Sequence, residues 1–179
     1  RDRSNSGFQV TGSDDKIYDP SLTRLKKYGI LPNDFGWFPE KISNDLDVVI
    51  LGMHAKKNNP ELLRAKELNL NIVSYPEFIY NFSKNKTRIV IGGSHGKTTI
   101  TSMILHVLND NNFLIDYVLG AQLDGFDNTV SLSTQNEFIL IEGDEYLSSP
   151  VDLTPKFHKY KANIAPVSYT HLRAHETPI

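Results

Sequence analysis

The sequence predicts an α/β protein in which a partial Rossmann-like parallel-sheet domain is followed by a partial ATP-binding domain with a phosphate loop. Two observations lead to this prediction. Short apolar runs rich in β-branched residues alternate with amphipathic helical segments, and the joints between them are short. In addition, a glycine-rich segment at residues 92–96 lies between an apolar run and a helix that starts at Lys97. Phosphate loops have this order of strand, glycine turn and helix.

The first domain is predicted at residues 4–83. Apolar runs that end at polar residues or glycine predict strands at 8–11, 47–51 and 71–74. Proline after a capping side chain, or proline at the first turn, marks a helix start. Three such starts occur, at Asp19-Pro20, at Asn59-Pro60 and at Pro76.

Polar residues follow the first of these strands. Ser13 and Asp14 lie where a dinucleotide-binding unit carries an acid that takes ribose hydroxyls. The same residues could form a solvated turn in which the aspartate bonds its own backbone. The spacing leaves both interpretations open.

The second domain is predicted at residues 84–165, after a polar linker. Ile89, Val90 and Ile91 form an apolar run typical of a central parallel strand. The following helix is expected to bury one face, because apolar residues recur at helical spacing. That face consists of Ile100, Met103, Ile104, Val107 and Leu108.

The glycine-rich segment predicts a cradle for phosphate groups, since backbone N–H groups of a tight loop and of a helix start attract anions. Gly93 and Gly96 permit a close backbone approach. Lys97 can reach terminal phosphates, and the Thr98 hydroxyl can ligate Mg²⁺. The common pattern has a glycine where Ile91 stands, so a plain turn before an ordinary helix is the alternative.

Carboxylates follow a later strand. Apolar runs predict strands at 114–119 and 137–141, and the second run leads directly into Glu142, Asp144 and Glu145. The carboxyl ends of parallel strands open onto one crevice, so these acids are expected to converge on Thr98 and a metal ion. A solvated acidic loop is the alternative.

Composition excludes several classes of protein. The net charge of −2 favours neither nucleic acid nor an acidic membrane, and no apolar run approaches the length of a membrane span. The 179 residues include no cysteine, which fits a reducing compartment, and we expect a cytoplasmic protein. The chain begins without methionine, which suggests a piece of a longer protein.

Residues 93–99 and 142–145 resemble the shortened phosphate loop and the acidic strand end of the Mur ligases, the ATP-dependent amide-forming enzymes of bacterial cell-wall synthesis. The resemblance extends from about residue 7 to residue 165. It implies a partial ATPase domain of Mur ligase type, with ATP and Mg²⁺ as cofactors and UDP-N-acetylmuramate as a substrate. It also implies a reaction through an acyl phosphate.

The resemblance further implies roles for individual residues. Lys97 would be catalytic, and Thr98 and Glu142 would ligate Mg²⁺. The residues implied for ATP binding are Gly93, Ser94, His95, Gly96, Lys97, Thr98 and Thr99. Those implied for binding the UDP-sugar are Ser13, Asp14, His54, Asn59 and Glu145. His54 could equally be a capped loop histidine, and no chemistry is assigned to the ring of His95.

Residues 52–62, 74–78 and 142–146 most resemble family members that join UDP-N-acetylmuramate to the murein tripeptide L-alanyl-γ-D-glutamyl-meso-diaminopimelate. Members that add L-alanine usually carry serine in place of Tyr146. Two alternatives stay open: an L-alanine-adding ligase, and a phosphate-loop NTPase that acts as a binding module without ligase activity. The sequence leaves the oligomeric state open.

Both ends depart from the family pattern. Residues 166–177 and the first three residues resemble translated sequencing adapters, so we expect the family sequence at residues 4–165 and a disordered tail at residues 166–179. In such a tail the spacing of His171 and His175 does not indicate a metal site. The first strand and the third domain of the family are missing, so this piece alone is expected to be inactive.

Overall fold

The structure, a computed structural model, describes residues 9–149 and 152–168. The chain divides into two compact units, with the boundary between Tyr75 and Pro76. Ser149 and Asp152 group with the first unit. The sequence predicts this boundary later, at residue 83.

The first unit contains a two-stranded parallel sheet. Strand β1 (Val49–Leu51) pairs with β2 (Ile72–Ser74), with Val49 opposite Ile72. Helix α1 (Ser21–Lys27) and a 3₁₀ turn (Pro39–Lys41) precede β1, and helix α2 (Pro60–Glu67) connects the two strands. Its buried apolar residues include Leu51, Leu62, Ala65 and Val73.

The helix starts form as the sequence predicts. Asn59 accepts a hydrogen bond from the Leu62 amide at 3.0 Å and so caps α2. Asp19 accepts one from the Thr23 amide at 3.0 Å beside α1. The strand predicted at 8–11 is not found, since residues 9–11 belong to no strand and Phe8 lies outside the described residues.

The second unit is built on a four-stranded sheet. Its strands are β3 (Thr87–Ile91), β4 (Asp116–Val118), β5 (Val130–Ser131) and β6 (Phe138–Glu142), in the order β3-β6-β4-β5. Strand β6 is parallel to both of its neighbours, whereas β5 is antiparallel to β4. The antiparallel edge strand is an addition to the parallel sheet that the sequence predicts.

Helices precede and follow the first strand of this sheet. Helix α3 (Tyr75–Ser83) starts at the boundary, and α4 (Lys97–Asp110) follows β3. Strands β7 (Leu147–Ser149) and β8 (Asp152–Pro155) form a separate pair, and helix α5 (Lys156–Lys159) follows them. No helix among the described residues is both long enough and apolar enough to cross a bilayer.

Buried Arg88 explains why most of α3 groups with the second unit. This residue of β3 is 7% exposed. Its guanidinium donates to the carbonyls of Ser83 at 2.8 Å and Lys84 at 3.1 Å, at the end of α3. It also donates to the Lys161 carbonyl at 3.0 Å. Helix α3 is therefore tied to the phosphate-loop strand.

Helix α4 buries only part of the predicted face, because Ile100 and Ile104 pack against the core while other members of that face are exposed. Thr101 and Leu105 are its buried residues, whereas Met103 and Val107 are 64% and 61% exposed. The predicted burial of Met103 and Val107 is therefore wrong. The short side chain of Thr101 occupies the central position against the sheet, which turns those two residues toward solvent. Leu105 packs in a core with Ile91, Leu119, Leu123 and Leu140.

Residues 163–168 run along the outer edge of β3. The Gly92 amide donates to the Pro166 carbonyl at 2.9 Å, and the Ser168 amide donates to the Gly92 carbonyl at 2.9 Å. The sequence predicts a disordered tail from residue 166, but residues 166–168 are paired because β3 offers them an open parallel edge. The rest of that predicted tail, with His171 and His175, lies outside the described residues.

Candidate functional site

The predicted phosphate loop lies at the carboxyl end of β3 and leads into α4. Gly93 and Gly96 have φ angles of 121° and 77°, a region that glycine adopts without strain. Gly96 is the residue directly before α4. The first turn of a helix carries N–H groups without acceptors in the helix itself, so the loop and the helix start form a cradle suited to an anion.

Lys97 folds back over this loop. Its ammonium donates a hydrogen bond to the Gly93 carbonyl at 2.6 Å. The side chain is therefore held above the glycine turn, where a bound anion can exchange for the carbonyl as its partner. The positive charge of Lys97 adds to the field of the helix start.

Thr98 and Glu142 meet at the base of the loop. The Thr98 hydroxyl donates to Glu142 Oε1 at 2.7 Å, and the Gly120 amide donates to Glu142 Oε2 at 3.1 Å. Glu142 is 8% exposed. Ile91 pairs with Glu142 in the parallel register, so the sheet aligns the end of β6 with the start of the loop.

This oxygen pair fits a hard cation. Mg²⁺ prefers oxygen ligands and usually takes one or two from the protein, with water and phosphate oxygens completing its shell. Thr98 and Glu142 supply one hydroxyl and one carboxylate. Gly120 is close to that carboxylate, because a Cβ at Gly120 would lie 3.0 Å from the Glu142 carboxyl carbon.

The other two carboxylates do not join this pair. Asp144 forms an ion pair with Lys156 at 3.1 Å, and Glu145 is exposed. Among the described residues, no group of three or more acidic or histidine side chains is arranged to hold a metal ion. The expected convergence of Asp144 and Glu145 on Thr98 is therefore not found.

Gly143 and Phe157 shape the acidic strand end, and the sequence analysis assigns neither a role. A Cβ at Gly143 would lie 2.6 Å from Phe157 Cδ2 and 2.7 Å from Val90 Cγ1. A Cβ at Gly92 would lie 2.9 Å from the same aromatic ring. The Phe157 ring thus packs against the glycines of both strand ends. The glycine between Glu142 and Asp144 was the feature of the sequence from which this close packing could have been predicted.

The remaining predicted loop residues are exposed, namely Ser94, His95 and Thr99. The carbonyl of His95 accepts a hydrogen bond from the Ser168 hydroxyl, which also donates to the Gly92 carbonyl at 3.1 Å. Ser168 therefore contacts carbonyl groups of the loop.

A cavity of about 930 Å³ lies in the first unit. Four of the residues predicted to bind the UDP-sugar line it, namely Ser13, Asp14, His54 and Asn59. Asp14 and His54 are exposed, whereas Asn59 is buried and uses its side-chain oxygen to cap α2. Glu145, the fifth predicted residue, is exposed in the second unit, on the segment after β6.

The fold and the loop are those of a phosphate-loop protein, and comparison with known proteins finds similar ligases. The chain is 36% identical over 151 residues to a UDP-N-acetylmuramate–L-alanine ligase of Sulfurihydrogenibium sp., covering 84% of this chain and 32% of that protein. It is 32% identical over 157 residues to the UDP-N-acetylmuramate–L-alanyl-gamma-D-glutamyl-meso-2,6-diaminoheptandioate ligase of Haemophilus influenzae. This match covers 86% of this chain and 34% of that protein.

A solved structure supports the same relationship. The UDP-N-acetylmuramate:L-alanyl-gamma-D-glutamyl-meso-diaminopimelate ligase from Neisseria meningitides superposes with a TM-score of 0.81 at 27% identity, covering 94% of this chain and 56% of that one. The chain is similar to Mur ligases over more than four fifths of its length, which confirms the resemblance and the predicted fold class. It spans about a third of the length of the curated relatives it matches. No family model matches the chain.

Proposed function

We propose that the chain is part of an ATP-dependent amide ligase that joins UDP-N-acetylmuramate to the murein tripeptide, in the cytoplasm, for cell-wall recycling. The observation that carries this proposal is the 2.7 Å contact between Thr98 and Glu142 beside the phosphate loop. It supports a nucleotide and metal site at the sheet edge where a carboxylate substrate must meet ATP. The relatives include one named as an L-alanine ligase and one named as a tripeptide ligase, which supports the class of reaction.

In the proposed reaction, a carboxylate oxygen of the muramate lactyl group attacks the γ-phosphorus of ATP, and ADP leaves. The peptide amine then attacks the carbonyl carbon of the acyl phosphate, loses a proton, and inorganic phosphate leaves. The first step brings a carboxylate to a polyanion, and the second develops negative charge on the carbonyl oxygen and the leaving phosphate. Stabilisation of negative charge is therefore the main requirement.

Residues of the loop meet that requirement. Lys97 would leave the Gly93 carbonyl and bind the β- and γ-phosphates, and residues 93–99 would donate backbone and hydroxyl groups to the remaining oxygens. Mg²⁺ held by Thr98 and Glu142 would supply further positive charge at the transferred phosphate. Neither role needs a large movement of the sheet.

The cavity of the first unit is the proposed site for the UDP part of the muramate. Asp14 would accept hydrogen bonds from ribose hydroxyls, and Ser13 would donate to an oxygen of the same ligand. His54 and Asn59 line the same cavity. Glu145 lies in the second unit and is not part of this cavity.

Addition of L-alanine is the second candidate function. The relative at 36% identity carries that name. Tyr146 favours the tripeptide, since the L-alanine-adding members usually have serine there, and its ring is 70% exposed and free to contact a substrate. A phosphate-loop binding module without ligase activity is the third candidate, and no compared protein described above carries such a name.

The test uses the full-length gene product with ATP, Mg²⁺ and UDP-N-acetylmuramate. Phosphate release is measured with the tripeptide and, separately, with L-alanine. We expect turnover with the tripeptide. Turnover with L-alanine alone would select the second candidate, and hydrolysis that neither amine stimulates would select the third.

A further inference from the structure

We infer that Trp37 is the surface on which the uracil base stacks in the cavity of the first unit. This inference rests on the proposed binding of UDP-N-acetylmuramate and adds the residue that recognises the base. Trp37 lines the cavity, and 37% of its surface is exposed. Its ring is therefore available to a ligand.

The loop that carries Trp37 is held on both sides of the ring. The Gly36 amide donates to the Asp14 carbonyl at 2.8 Å, and the Phe38 amide donates to Glu61 Oε1 at 2.8 Å. Gly36 has a φ angle of 130°, which allows the turn that presents Trp37. A ring whose two neighbours are fixed loses little conformational freedom when a ligand stacks on it.

The hydrogen bond from Gly36 also ties the residue before Trp37 to the backbone of Asp14, the proposed ribose-binding acid, and both Trp37 and Asp14 line the cavity. In a nucleotide the base is bonded directly to the ribose, so its binding surface must lie next to the group that takes the ribose hydroxyls. Trp37 and Asp14 meet this condition. Stacking of a base on an aromatic ring requires no particular base edge, which suits a tryptophan with an exposed face.

Charge in the same cavity agrees with a nucleotide diphosphate. Lys41 lines the cavity, and its ammonium lies 3.8 Å from the centroid of the Phe38 ring. The loop of residues 36–41 thus offers an aromatic surface and a cation to one ligand. Uridine diphosphate has the corresponding pair of groups.

Tryptophan fluorescence tests the inference directly, because Trp37 is the only tryptophan of this chain. The intact 179-residue chain is titrated with UDP-N-acetylmuramate, with UDP, with ADP and with inorganic pyrophosphate. We expect a saturable change in emission with the two uridine compounds and none with pyrophosphate. Calorimetry measures the same affinities without use of the fluorophore.

Variants separate stacking from general packing. Trp37→Leu should weaken UDP binding roughly tenfold or more by calorimetry, and Trp37→Phe should retain most of the affinity because it keeps a ring. Phe35→Leu is the matched control: Phe35 is 49% exposed in the same loop and is not among the residues lining the cavity. It should leave the affinity unchanged.

The outcomes distinguish this inference from the proposed function. If UDP binds with equal affinity to the wild type and to Trp37→Leu, or binds without any change in emission, the stacking role is wrong and the proposed function stands. If ADP rather than UDP changes the emission, the base assignment is wrong. If no uridine compound binds the wild type, both the inference and the proposed UDP site fail.

Discussion

At the scale of single residues, the contact between Thr98 and Glu142 carries most of the chemistry. The hydroxyl and the carboxylate lie 2.7 Å apart, and the carboxylate is nearly buried. A buried carboxylate is costly unless its oxygens have partners. Here both oxygens accept a hydrogen bond, one from Thr98 and one from Gly120. These two hydrogen bonds offset the cost of burying the Glu142 carboxylate.

Thr98→Val and Glu142→Gln should each lower ATP-dependent turnover of the proposed full-length ligase by roughly 100-fold, since each removes a proposed ligand of the Mg²⁺ ion that would offset negative charge in the transition state. Phosphate release under saturating substrates measures this. Thr134→Val, an exposed threonine of the same unit, is the control. Wild-type turnover in either site variant would contradict the proposed metal site.

Gly143→Ala should lower the free energy of unfolding by about 1–3 kcal/mol, because the new methyl group meets Phe157 and Val90 within van der Waals distance. Chemical denaturation measures the change. Gly52→Ala is the control, since a Cβ there would have no atom within 4 Å. An equal effect at both glycines would argue against the close packing at the acidic strand end.

Tyr75 makes stability sensitive to alkaline pH. Burial raises the pKa of its hydroxyl from 10.0 to about 12, so the folded state favours the neutral phenol. This contribution is fully present below pH 10 and is lost as the pH rises toward about 12. Tyr75→Phe should flatten the stability profile in that window, measured by denaturation at stepped pH. Tyr18→Phe, at a residue 69% exposed, should leave it unchanged.

At the scale of elements, a buried ion pair joins β3 to β4. Lys86 lies 2.8 Å from Asp116, and both side chains are less than 10% exposed. Lys86 also donates to the carbonyls of Ser133 and Asn136, and Asp116 accepts from the Ser133 amide at 2.9 Å. The pair thus fixes the loop between β5 and β6 to the amino end of the phosphate-loop strand.

Lys86→Met should cost roughly 3–5 kcal/mol of folding free energy, because it leaves the Asp116 carboxylate buried without its cation. The double variant Lys86→Met/Asp116→Leu should lose less than the single variant, since no charge is then stranded. Equilibrium denaturation of the three proteins measures both values. A double variant less stable than Lys86→Met would contradict the expected cost of a stranded Asp116 charge.

The elements also show which parts of the fold the sequence predicts. Strands β3 and β6 and the phosphate-loop helix follow from continuous apolar runs and from Gly96 before Lys97. The buried position of Thr101 in α4 does not follow from the sequence, because Thr101 is polar and hydropathy alone favours the burial of Met103 instead. Likewise, the two-residue strand β5 carries too short a pattern to predict. The buried role of Asp116 depends on partners distant in sequence, and so does the contact of Arg88 with Lys161.

At the scale of the whole molecule, each unit contains its own proposed site. Four of the five residues predicted for the UDP-sugar line one cavity, which spacing alone does not ensure because they come from separate loops. The pairing of Thr98 with Glu142 was predictable, since parallel strands bring their carboxyl ends to one edge. The ion pair between Asp144 and Lys156 was not predictable, because no local sequence pattern links the two residues.

If each site is independent, each ligand should protect its own unit. Hydrogen exchange of the chain with UDP-N-acetylmuramate should slow in the cavity segments around Asp14 and Asn59, and with ATP and Mg²⁺ it should slow in residues 92–99 and around Glu142. At about 100 times its dissociation constant, a ligand stabilises the folded state that binds it by roughly 2.7 kcal/mol. Amides that exchange through unfolding of that unit should slow accordingly.

Lys97→Ala serves as the control, because it should abolish protection by ATP and preserve protection by the UDP-sugar. Protection of both units by either ligand would contradict independent sites, and loss of both responses in Lys97→Ala would show that the variant disturbs more than phosphate binding.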